Sequence, residues 1–450
     1  MAENTIRPEN PRKTAVKLLC RVEEGNAYSN LVLDEHFKRS RMDARDTAFC
    51  TALFYGTLER RLTFDEIIKR YITRPGDKLS LEVRNIIRTA MYQLLYMDSV
   101  PDSAAVNEAV KLASKNRNPA VKGFVNGVLR AFIRDEKRLP EAKGTAEELS
   151  VKYSCPLPLV NKWLSELGEK KTAQLLDDSL GRAPVTIRTN TTRITPDELA
   201  EKLAAEGLTV YKNKYVGEAL EISGAAPEKT AAYAEGLFHV QDVSCMLCCK
   251  ALGAEPGMTV LDMCAAPGGK TFTIAEMMKN SGSVSAFDLH KKRAGLIAAG
   301  AERLGLTIIS ADENDAKTFR DDLPAADRVL CDVPCSGLGV IRRKPEIKYK
   351  DLTEFERLPE VQYEILDVSS RYVKPGGVLV YSTCTVSDAE NIDVVRKFLE
   401  AHPEFQPAAF GEGFGRFGGE TALTVLPEYF GSDGFFIAKL VRTDREVQNA

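Results

Sequence analysis

Two cysteines stand out because each sits in a short motif beside residues able to serve it. Asp332-Val-Pro-Cys335-Ser-Gly337 and Tyr381-Ser-Thr-Cys384-Thr385 each follow a run of apolar, strand-forming residues. A thiolate is a strong nucleophile, and one cysteine in such a place is most often a small buried filler. Two of them, one preceded by Asp-x-Pro, point to covalent catalysis. Upstream, Asp262-Met-Cys-Ala-Ala-Pro-Gly-Gly-Lys-Thr271 follows the strand-like Thr259–Asp262 and precedes a helix. Its glycine pair lets a ligand approach the backbone closely. The spacing is not G-x-G-x-x-G. Nor is it a P-loop, because Cys264 stands where that motif needs glycine.

Acids follow the next two strand-like runs. Asp288 ends Ser283–Asp288 and is placed to accept from ribose hydroxyls. Asp312 and Asp315 follow Thr307–Ser310, and either could accept from an adenine amino group. A glycine turn with two acids and no phosphate machinery suits an adenosyl ligand without phosphates, S-adenosylmethionine above all. Beside a methyl donor, a thiolate has a specific use. Pyrimidine C5 is a poor nucleophile until a thiolate adds to C6 and makes the ring enamine-like. An acid near N3 and the exocyclic amine, here Asp332, would stabilise the charge that develops.

Other reactive residues read as bland. Cys245, Cys248 and Cys249 form C-x-x-C-C in a helical stretch beginning at Asp242, without a second pair at zinc spacing. His36, His239, His290 and His402 show no triad or metal pattern. No metal site is expected. The run Ile341-Arg-Arg-Lys-Pro-Glu-Ile-Lys-Tyr-Lys350 directly follows the Cys335 motif, and its cations and tyrosine suggest phosphate contacts with stacking.

The elements that must position these residues fall into segments. Residues 12–134 read as helices only, with apolar faces at Ala15, Leu18, Leu19 and Val22, at Ala48, Ala52 and Tyr55, and at Ile86, Ile87, Ala90, Leu94 and Leu95. Pro75-Gly76, Val100-Pro101-Asp102 and Asn118-Pro119 are breaks. The expected domains are an all-α bundle over 1–140, linker helices over 141–180, a small α+β module over 181–236 and an alternating α/β domain over 237–445. In that last segment, alternation of strands and helices predicts a mostly parallel, doubly wound sheet.

Composition bounds the class. The 450 residues carry a net charge of −3 and are 44% hydrophobic. That excludes collagen-like, disordered and coiled-coil readings. No run approaches the ~18 apolar residues of a membrane helix, and the polar start of the chain predicts no signal or transit peptide. A cytoplasmic protein is expected, with its ten cysteines reduced. Residues 1–140 hold 25 Lys and Arg against 18 Asp and Glu, a net of +7, which leaves −10 for the rest. A basic first third suits a polyanion-facing module.

The three motifs together resemble the RNA (cytosine-C5) methyltransferases of the NOL1/NOP2/Sun type. Val106-Asn-Glu-Ala-Val110 and Phe124-Val-Asn-Gly-Val-Leu129 resemble the NusB-type RNA-binding bundle. The resemblance runs on through Ser154-Cys-Pro156 with Trp163, Ile187-Arg-Thr-Asn190 and Val240-Gln-Asp-Val-Ser244. It implies three parts: a NusB-like bundle, a small RRM-like module and a Rossmann-like S-adenosylmethionine-dependent domain. It implies that Cys264, Ala265, Ala266, Pro267, Gly268, Gly269 and Lys270 bind the cofactor with Asp288 and Asp332. Asp315 fits the third acid better than Asp312, because Ala316 follows it. Cys384 is implied as nucleophile, Cys335 as an aid to product release, and Asp332 as the contact to the target base. A histidine common near the family's C-terminal Asp-Gly-Phe-Phe is lacking in Glu428–Gly434. The fusion with a NusB-like bundle implies formation of 5-methylcytosine in 16S rRNA, naked or in an early assembly intermediate, and a monomer is expected. The alternatives are a tRNA cytosine-C5 methyltransferase and a non-catalytic NusB-like RNA-binding or transcription factor.

Overall fold

The computed structural model describes residues 9–25, 28–72, 79–140 and 144–443. The predicted break at Pro75-Gly76 lies outside them. The chain forms two compact units. One is the chain up to Gly181 together with Ile341–Leu352, and the other is Arg182–Val340 with Thr353 onward.

The first unit is helical. Pro11–Gly25, Ser29–Phe37, Ala44–Glu59, Arg61–Arg70, Leu81–Tyr96, Asp102–Ala113 and Ala120–Arg134 are followed by Thr145–Tyr153 and Leu157–Asp178, the last broken at Gly168. Asp43 and Ser80 cap their helices by accepting from Asp46 N and Val83 N. The face read at Ala48, Ala52 and Tyr55 is not the buried one: Cys50, Leu53, Phe54 and Leu58 face the core. Both series have helical spacing, and the one with larger apolar side chains gains more by burial. Arg88 lies buried among these helices. Its guanidinium donates to Asp65 Oδ1 at 2.8 Å, Glu23 Oε1 at 2.8 Å and Asn85 Oδ1 at 2.8 Å. A buried cation requires such pairing, which ties three helices together.

Ile341–Leu352 is a strap from the other end of the sequence, and it corrects the reading of its basic run. Lys348 is 2% exposed and donates to Glu59 O at 2.9 Å and Tyr153 O at 3.4 Å. The Tyr349 hydroxyl lies 3.0 Å from Ser154 Oγ and donates to Glu59 O at 3.1 Å, while Arg61 stacks on its ring at 3.8 Å. Glu346 accepts from Ser29 N at 2.9 Å. Lys348 and Tyr349 are therefore consumed inside the bundle. Charge in a sequence says nothing of burial, and here the carbonyls at helix ends take the cation.

The second unit has two sheets. The small module carries β1 (Val185–Thr189), β2 (Thr209–Lys212), β3 (Ala219–Ser223) and β4 (Phe238–Val240) in the antiparallel order β2-β3-β1-β4. The fourth strand falls beyond the 236 at which the sequence reading ends the module. The helix Pro196–Ala205 packs on this sheet, started by a capping box of Thr195 and Glu198. Ile187, Leu199, Leu203, Leu220 and Phe238 form the module's core.

The eight-stranded sheet consists of β5 (Thr259–Asp262), β6 (Ser283–Asp288), β7 (Ile309–Glu313), β8 (Ala326–Asp332), β9 (Val373–Thr383), β10 (Phe405–Pro407), β11 (Ala422–Val425) and β12 (Phe435–Arg442). Its order is β10-β12-β9-β8-β5-β6-β7, with β11 on β12. The run from β9 to β7 is parallel, and β10, β11 and β12 are antiparallel. Alternate residues face two cores, with Val260, Leu330 and Val380 in one and Leu261, Val329 and Leu379 in the other. β7 starts two residues later than predicted and runs through Asp312. Order reverses around β5, which has β6 on one side and β8 on the other. This is the switch point at which such sheets hold ligands.

Burial holds Lys348 down at about 8. A lysine with a depressed folded pKa disfavours folding once it is protonated, so stability should rise with pH between about 8 and 10.5. Against Lys348→Met, wild-type stability is expected to gain up to about 3 kcal/mol across that window and to stay flat below it. Denaturant titration of both proteins at a series of pH values measures this.

Candidate active site

Parallel register does most of the positioning. Asp332 of β8 lies opposite Ser382 of β9, so the turns that follow both strands leave the sheet side by side. Cys335 Sγ and Cys384 Sγ are 3.1 Å apart, both partly exposed. The sequence placed them on strands of neighbouring type, and the structure brings them into contact.

Each turn is pinned from below. Glu390, 3% exposed, accepts from Ser336 N at 2.9 Å and Gln362 Nε2 at 3.0 Å. Its backbone carbonyl accepts from the Tyr381 hydroxyl at 2.6 Å. Asn391 accepts from Thr383 Oγ1 at 2.6 Å and donates to Thr385 O at 3.1 Å, bracketing Cys384. Ser336 Oγ and Thr385 Oγ1 join the turns at 2.9 Å. Gly339 N donates to Cys384 O at 3.0 Å, and a Cβ on Gly339 would meet Gly434 O at 2.0 Å. Sequence reasoning missed Glu390, Asn391 and Gln362. The adjacent Glu-Asn after the Cys384 motif is a signal, but only its fold reveals the partners.

Asp332 Oδ1 accepts from Ser382 Oγ at 2.8 Å, and Oδ2 accepts from Lys270 Nζ at 2.7 Å. Burial opposes the Lys270 charge, but Asp332 together with the Cys245 and Cys248 sulfurs outweighs it and holds the pKa well above the usual lysine value. Lys270 also reaches Cys245 Sγ at 3.4 Å and lies over Phe435. Burial pushes the Cys245 thiol up to about 12, and Cys248 and Cys249 are wholly buried in the core, which fits the bland reading of that run.

The Cys335 thiol is held well above its usual value, first by its hydrogen bond with Cys384 and then by burial. Either sulfur can be the donor of that hydrogen bond.

The glycine turn lies between β5 and the helix Gly269–Met277. Gly268 has φ 109° and a Cβ there would meet the Phe272 ring at 2.5 Å, so glycine is required. Ala265 N donates to Phe287 O at 2.7 Å, tying the turn to β6. Arg293 donates to Ala266 O at 3.0 Å and lies 3.4 Å from Asp288. Asp288 is 4% exposed and accepts from His290 N. Asp315 stands just past β7, whereas Asp312 lies within the strand and pairs with Arg320. The turn cysteine, Cys264, is held as a thiol by burial.

Two polar atoms at this edge are buried without hydrogen-bond partners. One is Asp262 Oδ1, whose Oδ2 accepts from Thr271 Oγ1 at 2.7 Å, and the other is Asn314 Nδ2. Burial raises Asp262 to about 7. A donor and an acceptor left open at the carboxyl ends of β5 and β7, beside a glycine cradle, fit a polar ligand such as an adenosyl group.

Comparison with known proteins agrees across the chain. Residues 249–441 match the family model "16S rRNA methyltransferase RsmB/F", 9–134 the NusB family, and 155–228 the "Methyltr_RsmF/B-like, ferredoxin-like domain". The "Probable ribosomal RNA small subunit methyltransferase B" of Bacillus subtilis is 38% identical over 95% of this chain and 98% of its own. The "Ribosomal RNA small subunit methyltransferase B" of Erwinia tasmaniensis is 31% identical over 94% and 96%. The solved structure of PH0851 is 28% identical with a TM-score of 0.79, over 97% of this chain and 99% of its own. NSun6 from Pyrococcus horikoshii, solved with SFG, is 21% identical with a TM-score of 0.57 over 63% and 97%, a likeness of fold.

Replacing Asn391 with alanine leaves the Thr383 hydroxyl without its acceptor in the core. Asn391→Ala is expected to lose about 1–3 kcal/mol of stability, read as a lower denaturant midpoint. An unchanged midpoint would mean that the Cys384 turn does not depend on this clamp.

Proposed function

The chain belongs to the RsmB/F family of 16S rRNA methyltransferases, and from that premise we propose that it methylates C5 of a cytosine in 16S rRNA with S-adenosylmethionine, using Cys384 as nucleophile. The observation that carries this is the 3.1 Å approach of Cys335 and Cys384 on turns that adjoin Asp332. A single buried thiol would be packing. Two thiols in contact, half-open, beside a carboxylate, form a device for adding sulfur to a ring and removing it again.

The roles follow from the surroundings of each group. Cys384 Sγ forms a bond to C6 of the cytosine, which places electron density at C5. Asp332 holds the base by accepting a hydrogen bond from its exocyclic amine, which orients the ring over the thiolate. It is oriented for this by Ser382 and Lys270. When bound, S-adenosylmethionine supplies an electrophilic methyl group. The C5 proton then leaves to a base, the C6–sulfur bond breaks, and Cys384 departs as thiolate. Cys335, in contact with the Cys384 sulfur, assists that departure.

The cofactor is assigned to the turn Cys264–Lys270, with Asp288 at the ribose and Asp315 at the adenine. The Gly268 cradle and the open atoms of Asp262 and Asn314 support that placement. Lys270 contributes through backbone, since its ammonium is occupied by Asp332. The bundle and the ferredoxin-like module are assigned to RNA binding.

Cys384→Ala is expected to abolish methyl transfer, whereas Cys335→Ala should accumulate a covalent protein–RNA adduct visible as a denaturant-resistant band. The reverse pattern would exchange the roles of the two cysteines. Bisulfite sequencing of 16S rRNA and tRNA from a deletion strain should show one methylcytosine lost from 16S rRNA alone. Loss from tRNA instead would move the substrate.

A further inference from the structure

We propose that Cys335 and Cys384 form a modification site for hydroperoxides, closing to a disulfide that silences the nucleophile and that small thiols reopen. The bond itself follows from the geometry, whereas the loss of methyl transfer that it brings rests on the function proposed above. The two sulfurs lie 3.1 Å apart, and both residues are partly exposed, so a small peroxide reaches them. A disulfide needs about 2.0 Å between its sulfurs, so closure asks for a movement of roughly 1 Å.

The turns hold the sulfurs at that distance. The residues that follow the two cysteines are tied to each other, Ser336 Oγ to Thr385 Oγ1 at 2.9 Å, and Gly339 N donates to Cys384 O at 3.0 Å. Glu390 and Asn391, adjacent in sequence, hold one turn each. The backbone therefore cannot carry the thiols apart without breaking bonds on both turns. The other eight cysteines compete poorly. Burial is the first cause that raises each of their thiols. At Cys335 the first cause is instead the Cys384 sulfur. Oxidation starts from a thiolate. Within the pair, the remaining S–H steadies the first thiolate, on whichever sulfur it forms.

The chemistry balances in two steps. The thiolate attacks the terminal oxygen of a hydroperoxide, the O–O bond breaks, and the leaving oxygen takes a proton to depart as alcohol or water. The sulfur, oxidised by two electrons, is left as sulfenic acid, and the peroxide is reduced by the same two. The second thiol, already in contact, then attacks the sulfenic sulfur. The S–S bond forms, the S–O bond breaks, and hydroxide leaves with the thiol's proton as water. Two equivalents of a small thiol restore both cysteines by exchange and are themselves oxidised to a disulfide. Because the resolving sulfur is in place beforehand, the disulfide forms before a second peroxide drives the sulfenic acid to irreversible sulfinic acid. The pair thus trades a temporary loss of the nucleophile for protection from a permanent one.

The test uses the full chain, reduced and desalted, treated with hydrogen peroxide and alkylated after denaturation. Wild type is expected to lose two of its ten alkylation sites and to yield a peptide linking Cys335 to Cys384. Its mass before alkylation should fall by about 2 Da. Methyl transfer should decline in step with the linked fraction and return fully with dithiothreitol. In Cys335→Ser, Cys384 should instead pass to sulfinic acid, about 32 Da heavier and untouched by dithiothreitol. Four results would each overturn the proposal. They are sulfinic acid at wild-type Cys384 without the linked peptide, earlier pairing of any other two cysteines, linkage between chains rather than within one, and survival of both thiols at a peroxide excess that oxidises free cysteine. A linked peptide from a protein whose reduced form transfers no methyl group to 16S rRNA would leave the disulfide standing and overturn the reading of function.

Discussion

The site depends on one constraint, the in-register parallel pairing of β8 with β9. Asp332 opposite Ser382 fixes where two separate turns leave the sheet, and everything reactive follows within three residues. A one-residue slip would move every β9 side chain from one apolar core to the other, Val380 and Leu379 exchanging sides, and forfeit the packing fitted on both faces. The energy that sets the cysteine geometry is thus spread through the sheet. The Glu390–Asn391 pair then converts strand register into sulfur position, with one residue beneath the Cys335 turn and the next bracketing Cys384.

Much of this was legible in the sequence because the relevant signals are local. Strand-forming runs followed by Asp288, Asp332 or Cys384 mark the ligand edge, since parallel sheets place function at strand ends. β5, β6 and β8 appear where apolar runs placed them, and Gly268 sits where only glycine fits. The antiparallel strands β10 and β11 were not foreseen, being short edge elements with weak patterns. The ledge of Glu390, Asn391 and Gln362 was not legible either. The bonds of Glu390 to Ser336 and to Gln362 join residues 54 and 28 positions apart, a separation that no local pattern encodes.

The strap shows a different failure of local reading. Ile341–Lys350 is basic, follows the Cys335 motif and looks like a phosphate clamp. In the structure its Lys348 and Tyr349 fill the bundle where Glu59 and Tyr153 end their helices. A helix C-terminus presents unpaired carbonyls with partial negative charge, and a buried ammonium can satisfy them, at the desolvation cost that holds Lys348 down at about 8. The discriminating feature was therefore the partner rather than the charge. The same basic composition that suggests RNA binding here serves to fasten the continuation of the Cys335 turn into the NusB-type bundle.

The Arg188–Glu276 pair bears on how the small module relates to the catalytic sheet. A buried ion pair seldom adds net stability over an apolar pair of equal volume. It does penalise any arrangement in which one charge is buried without the other. Arg188 lies on the module's central β1 and Glu276 on the helix that starts at the glycine turn, so misplacing either element strands a charge. Asn190 adds direction by donating to Gly236 O within the module and to Leu304 O across the seam. These polar contacts specify one docking geometry where an apolar seam would tolerate several. The ferredoxin-like module is thereby held as a fixed wall of the catalytic unit, with its β1 at a set distance from the turn that begins the Gly269–Met277 helix.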